Sequence, residues 1–148
     1  MAVELHFIGK GGGIFKEAES HYEKLIRSFA PITIKPARIG AGQGDPKKER
    51  AKYTEAFEPF LAGGAFKIAL DANGDRLNSE SFAKIIANRA ATKFFIGGAF
   101  GFESEFLARC DQAISLSPLT FSHEIARVAL LEQIYRALSI NAAHPYHK

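Results

Sequence analysis

An α/β domain built on a mostly parallel sheet flanked by helices is what this sequence predicts, and three observations carry that prediction. Short apolar runs bounded by Gly and Pro alternate with longer runs whose apolar residues recur at helical spacing. The alternation continues along the whole chain, as a parallel sheet joined by crossover helices requires. The 148 residues are 47% hydrophobic and 24% charged, which suits one globular domain over 1–148 rather than a disordered chain.

The elements follow in order. "VELHFI" puts Val3, Leu5 and Phe7 on one face of a first strand. The cluster Gly9–Gly13 turns the chain into a helix from Phe15 to about Phe29. There Ala18, Tyr22, Leu25 and Ile26 form the apolar stripe, and Pro31 stops it. "ITIKPARI" reads as a second strand, and Pro36 places it at a sheet edge, where a missing N–H is tolerated. "GAGQGDPKKERAK" is a polar connection. Asp45 as cap and Pro46 at the first helical position start a helix expected to reach Leu61. "FKIALDANG" is a strand and turn, "SESFAKIIANRA" a helix capped by Ser79, and "KFFIGG" a short buried strand. "ESEFLARC" is a further helix and "AISLS" the last strand, before a helix from Ser122 to Asn141.

That last helix is apolar nearly all round. Ile125, Val128, Leu130, Leu131, Ile134, Tyr135 and Leu138 leave only a narrow polar strip at Glu132, Gln133 and Arg136. One side can pack on the sheet. A second copy of the chain is the simplest cover for the other, so a homodimer is expected.

Composition removes several function classes. A single cysteine, Cys110, excludes an internal disulfide framework and fits a cytoplasmic setting. No apolar run approaches the roughly 20 residues that span a bilayer, and "MAVELHFIGKGGG" has no basic leader, so no membrane role is expected. The net charge of +3 permits RNA as a partner without requiring it. "GKGGGIF" has Ile14 where a dinucleotide fingerprint needs its third glycine, and no acid follows at the ribose-binding distance. "HEIAR" lacks a zinc protease's second histidine, and the two imidazoles of "HPYH" fall short of a metal site. No metal is expected. The basic run Lys47, Lys48, Arg50 and Lys52 reads first as a solvated helix face and second as a contact to RNA phosphates.

In an open parallel sheet, ligands sit beyond the carboxyl ends of the strands. Three segments therefore form the candidate site: the turn after Leu70, the glycines after Ile96 and the residues after Leu116. Glycines there let backbone groups approach a ligand closely, and a side chain at Gly98 is expected to enter the ligand's space.

"IALD" with "SESFA", then "FFIGGAFGF", then "LSPLTFSHEIARVALLEQIYRALSI" and "HPYHK" together resemble the RlmH family of ribosomal RNA large-subunit methyltransferases, which are small SPOUT (α/β-knot) enzymes. The likeness is close from Phe66 to Lys148, fair from Val3 to Phe29 and weak from Lys35 to Gly64. It implies a sheet whose C-terminal portion forms a trefoil knot, a paired chain, and S-adenosyl-L-methionine as methyl donor. The implied reaction is methylation of N(3) of a pseudouridine in 23S ribosomal RNA within the ribosome. Other readings of the same resemblance are action on another RNA such as tRNA, and a non-catalytic RNA-binding module of the same fold.

Carried over by position, the resemblance assigns cofactor contacts to Leu70, Gly97, Gly98, Leu116, Ser117, Pro118, Leu119, Thr120 and Phe121. It makes Tyr146, His147 and Arg136 the catalytic candidates, on a tail expected to fold back near the cofactor. Arg127, Arg136 and His144 would steer phosphates, and His123 reads as a structural or pocket-wall residue. Ser122 stands where relatives usually carry proline, and both suit a helix start.

Overall fold

Alternation along β1 (Ala2–Ile8) sends Val3, Leu5 and Phe7 to one side of a sheet and His6 and Ile8 to the other. This computed structural model describes residues 1–40 and 44–148. Part of the Gly40–Gly44 connection thus lies outside the described residues. After β1 come α1 (Lys16–Arg27), β2 (Ile32–Ala37), α2 (Pro46–Phe57) and a 3-10 turn (Glu58–Phe60). Then follow β3 (Phe66–Arg76), α3 (Ser79–Ile86), β4 (Ala91–Ile96), α4 (Ser104–Ala108), β5 (Gln112–Ser115) and α5 (His123–Asn141).

The strands form one parallel sheet in the order β2-β1-β4-β3-β5. β2 lies at an edge, as Pro36 requires, and β4 lies inside, as its apolar sequence suggests. On one face Leu5, Phe7, Ile68, Phe94 and Ile114 pack against Ile26, Phe82, Ile86 and Leu130, so α1, α3 and α5 share that face. On the other, Ile8, Ala69 and Phe95 meet Tyr53, Phe57, Phe102 and Phe106 from α2, α4 and the turn between β4 and α4.

Several local expectations change. The cap of α3 is Asn78, whose Oδ1 accepts from the Ser81 N–H at 2.8 Å. Ser79 instead donates its hydroxyl to Gln133 Oε1 on α5 at 2.8 Å. α3 also stops at Ile86, because Ala87 is extended and Asn88 adopts φ 60°. α2 ends at Phe57 rather than Leu61, since Pro59 cannot continue an α-helical ladder and the chain tightens to a 3-10 turn. The caps Asp45 and Ser122 stand as expected, each accepting a backbone N–H.

The argument for a second copy from α5 alone does not hold in its simple form. Leu130, Leu131, Ile134, Tyr135 and Leu138 are all buried within one chain, because α1 and α3 flank the helix. Of its apolar residues, Ile125 is exposed and Val128 half-buried.

β3 carries the irregularity that shapes the site. Both Leu70 and Asp75 pair with Ile114, so Asp71–Gly74 loop out of the ladder between them. Gly74 passes so near β5 that a Cβ there would stand 2.7 Å from backbone atoms of Ala113 and Ile114. Gly74→Ala is therefore expected to force β3 and β5 apart and lower stability by about 2 kcal/mol, read as a lower denaturant midpoint at unchanged slope. An unchanged midpoint would show that the loop takes up the methyl group freely.

Candidate active site

The carboxyl ends of β3, β4 and β5 lie side by side, and the segments that follow them enclose a cavity of about 560 Å³. Leu70, Gly97, Gly98, Leu116, Ser117, Pro118, Leu119, Thr120 and Phe121 all line it. So do residues that the sequence did not single out, among them Asp71 and Asn73 from the bulge, Phe100 from the glycine turn and Ala126 from α5.

The wall after β5 is shaped by serines. Ser115 Oγ donates to the Ser117 carbonyl at 3.0 Å, and Ser117 Oγ accepts from the Leu119 N–H at 2.9 Å. This hydroxyl-stabilised turn leaves Leu119 74% and Phe121 38% exposed at the mouth.

His123, at the start of α5, also lines the cavity. Burial pushes its imidazole below the ordinary value, Arg127 adds to this, and the Gly97 carbonyl, accepting from the ring, pulls the other way. The ring is thus a wall group of the cavity beside the glycine turn.

Gly97 and Gly98 line the cavity through their backbone, yet their missing side chains do not point at it. A Cβ on Gly97 would meet the Phe102 ring at 3.1–3.3 Å, and one on Gly98 would overlap the Tyr53 ring. A side chain at Gly98, expected to enter the ligand's space, would instead run into the Tyr53 ring, which lies outside the cavity.

The tail lies elsewhere on the chain. Tyr146 packs edge-on against Tyr135 and donates its hydroxyl to Glu132 Oε1 at 3.0 Å. Arg136 binds the same carboxylate and covers the Tyr146 ring. It also donates to His147 Nδ1 at 3.2 Å, which leaves His147 Nε2 to donate to Glu80 at 2.8 Å. None of Tyr146, His147 and Arg136 lines the 560 Å³ cavity. Their cluster instead borders a neighbouring apolar hollow of about 710 Å³, to which Glu80 and Glu132 contribute with Phe15, Tyr22, Ile125 and Val128. Ile114, Leu116 and Phe121 line both spaces, so the two lie back to back.

Arg127 is not placed to steer phosphates. It is 3% exposed, donates to Glu19 Oε1 at 2.5 Å and covers the Phe7 ring, so it joins α5 to α1. His144 is exposed, with its ring edge-on to Phe29. Among the described residues no group of three or more His, Cys, Asp or Glu could hold a metal ion. Nor is any helix long and apolar enough to cross a membrane.

The family model described as "Predicted SPOUT methyltransferase" matches residues 1–147. Proteins named ribosomal RNA large subunit methyltransferase H are similar over most of their length. The one from Helicobacter pylori strain J99 is 54% identical over 89% of this chain and 91% of its own. One from a Nitratiruptor species is 46% identical over 88% and 89%, and one from a Sulfurovum species is 36% identical over the whole of both. Among solved structures, a probable methylase family protein from Haemophilus influenzae shares the fold with TM-score 0.59 at 10% identity. That match covers 95% of this chain and 66% of the other. The chain belongs to the SPOUT methyltransferase family and, within it, to the ribosomal RNA large subunit methyltransferase H family.

Proposed function

We propose that this chain transfers a methyl group from S-adenosylmethionine to N(3) of a pseudouridine in 23S ribosomal RNA, in the assembled ribosome. The observation that carries the reading is the meeting of three separate segments, nine expected residues between them, on one cavity at the strand ends. About 560 Å³ suits a cofactor of this size. Leu70, Leu116, Leu119 and Phe121 offer apolar walls for adenine. The turn backbone offers donors and acceptors for its edge and for the carboxylate and ribose. The same reading takes the segment after β5 as part of a trefoil-knotted C-terminal portion.

The reaction is a displacement. The pseudouridine nitrogen attacks the sulfonium methyl carbon, the carbon–sulfur bond breaks, and a neutral thioether leaves. The N(3) proton must also depart, so the site has to place the base in line and favour its anion. Tyr146 is unsuited to take that proton, because burial first and Glu132 second push its phenol up to about 12. It serves to place a partner. His147 and Arg136 remain the groups to contact the base or its phosphates.

Since these groups and the cavity do not meet in one protomer, the reading includes a homodimer. The uncovered apolar surface at Ile125 and Phe121 is the natural seat for the second copy. The modest net charge gives little affinity for RNA in general. A shaped target is expected, with Lys47 and Lys48 of α2 free to meet phosphates.

Ribosomes lacking the modification should take up label from methyl-labelled S-adenosylmethionine at one mapped pseudouridine, and naked RNA much less; labelling elsewhere would redirect the reading. His147→Ala should cut turnover by about tenfold or more while calorimetry finds donor affinity unchanged. Ile125→Glu should turn a sedimenting dimer into a monomer; a wild-type monomer at micromolar concentration would remove the dimer. In an alkaline absorbance titration, Tyr146→Phe should remove one tyrosinate that forms around pH 12. The raised phenol favours the fold below pH 10, and that contribution is lost as pH rises from 10 towards 12. Tyr146→Phe should therefore flatten this part of the alkaline stability loss.

A further inference from the structure

α2 crosses the second face of the sheet and lays Tyr53 under the glycine turn. Tyr53 is 3% exposed and sits in the cluster of Phe57, Phe95, Phe102 and Phe106, four residues before the fully buried Phe57. A Cβ on Gly98 would stand 2.7 Å from Tyr53 Cε1, and closer still to Cζ and the hydroxyl oxygen. The two positions are therefore matched: while the ring is there, residue 98 has no room for a side chain.

A phenylalanine would fill an aromatic cluster as well. Burying a hydroxyl costs free energy unless it finds partners. Here the hydroxyl lies against the turn itself, its oxygen close upon the place where a Gly98 Cβ would stand, and the backbone of Ala99 and Phe100 beside it offsets part of the upward push that burial gives the phenol. Both residues line the cavity, whereas Tyr53 does not. The turn is closed by the Gly101 N–H, which donates to the Gly98 carbonyl at 3.2 Å, with Gly101 at φ +75°. The next residue of α2 holds the far end: Thr54 Oγ1 donates to Glu103 Oε1 at 2.6 Å, just before α4. One helical turn thus grips both ends of the segment from Gly98 to Glu103.

We propose that Tyr53 is a positioning residue for the methyl-donor cavity, its ring and hydroxyl setting the Gly97–Gly101 turn in the shape that receives the donor. This rests on the reading that the cavity takes S-adenosylmethionine, and the test keeps the two apart. Tyr53→Phe retains the ring and removes the hydroxyl. Amide hydrogen exchange at Ala99 and Phe100 in the unliganded protein should quicken about fivefold once the polar oxygen packed beside them is gone. KM for the donor should rise by a similar factor, about fivefold, with kcat held.

Gly98→Ala should weaken donor binding by at least about tenfold, since the turn must shift to admit the methyl group. Adding Tyr53→Leu should restore part of that loss, because the ring end is the obstacle. A double variant no better than Gly98→Ala overturns the proposal, for the methyl group would then be meeting the ligand. Unchanged exchange in Tyr53→Phe overturns it as well. If wild-type protein binds no S-adenosylmethionine, the functional reading fails alone, and the exchange rates still decide the role of Tyr53.

Discussion

The cavity depends on one arrangement of strands, the insertion of β3 between β4 and β5. Sequential strands usually lie beside one another, and a β4–β5 pair would have left the turn after Leu70 on the wrong side. With β3 in the middle, three carboxyl ends stand in a row, and the segments after Leu70, Ile96 and Ser115 converge. The bulge between Leu70 and Asp75 then gives the middle segment room to bend away. Gly74 allows this because its backbone lies directly on that of β5. Register, bulge and glycine are parts of a single geometric condition.

The two faces of the sheet divide the work. The face with α1, α3 and α5 holds the larger aliphatic core and the pair between Arg127 and Glu19. The face with α2 and α4 is aromatic: Phe102 stacks on Phe106 with centroids 4.4 Å apart, and Phe57 stands across from both. Rings are flat and stiff, and a backbone turn can lie directly on them where no Cβ intervenes. That explains why two glycines sit at the end of β4. Their role on the protein side is at least as definite as any on the ligand side.

What the sequence made legible was local or periodic. The pattern of Val3, Leu5 and Phe7 announced one apolar face, Pro36 an edge, and Asp45 with Pro46 a helix start, because each rests on geometry within a few residues. The strand ends were legible too, through the general place of ligands in parallel sheets. The rest depended on long-range partners. Arg127 reads as a surface cation until Glu19, 108 residues away in sequence, is seen beside it. Tyr53 reads as one apolar position in a polar helix, with nothing nearby to say that it meets Gly98. Ser79 and Asn78 compete for one cap, and only the distant Gln133 shows why the serine turns away. The family resemblance supplied residue roles that periodicity does not encode. It was weakest from Lys35 to Gly64, where Tyr53 lies.

The tail shows why order and function are separate questions. Glu132 accepts from Tyr146 and Arg136, and His147 bridges Arg136 and Glu80. Tyr146, Arg136 and His147 all have partners, which holds the end of the chain against the body. Such a closed network also neutralises itself: the Arg136 charge is spent on Glu132, and His147 has neither ring nitrogen free. To bind a phosphate or a base, the cluster must exchange at least one of these partners for the incoming group. Glu80 is the natural one to yield, being on the exposed side of the pair, whereas Glu132 holds Gln133, Arg136 and Tyr146 at once. The tail is thus ordered by its own contacts, and of its two carboxylate anchors Glu80 is the more exposed and Glu132 the more heavily bonded.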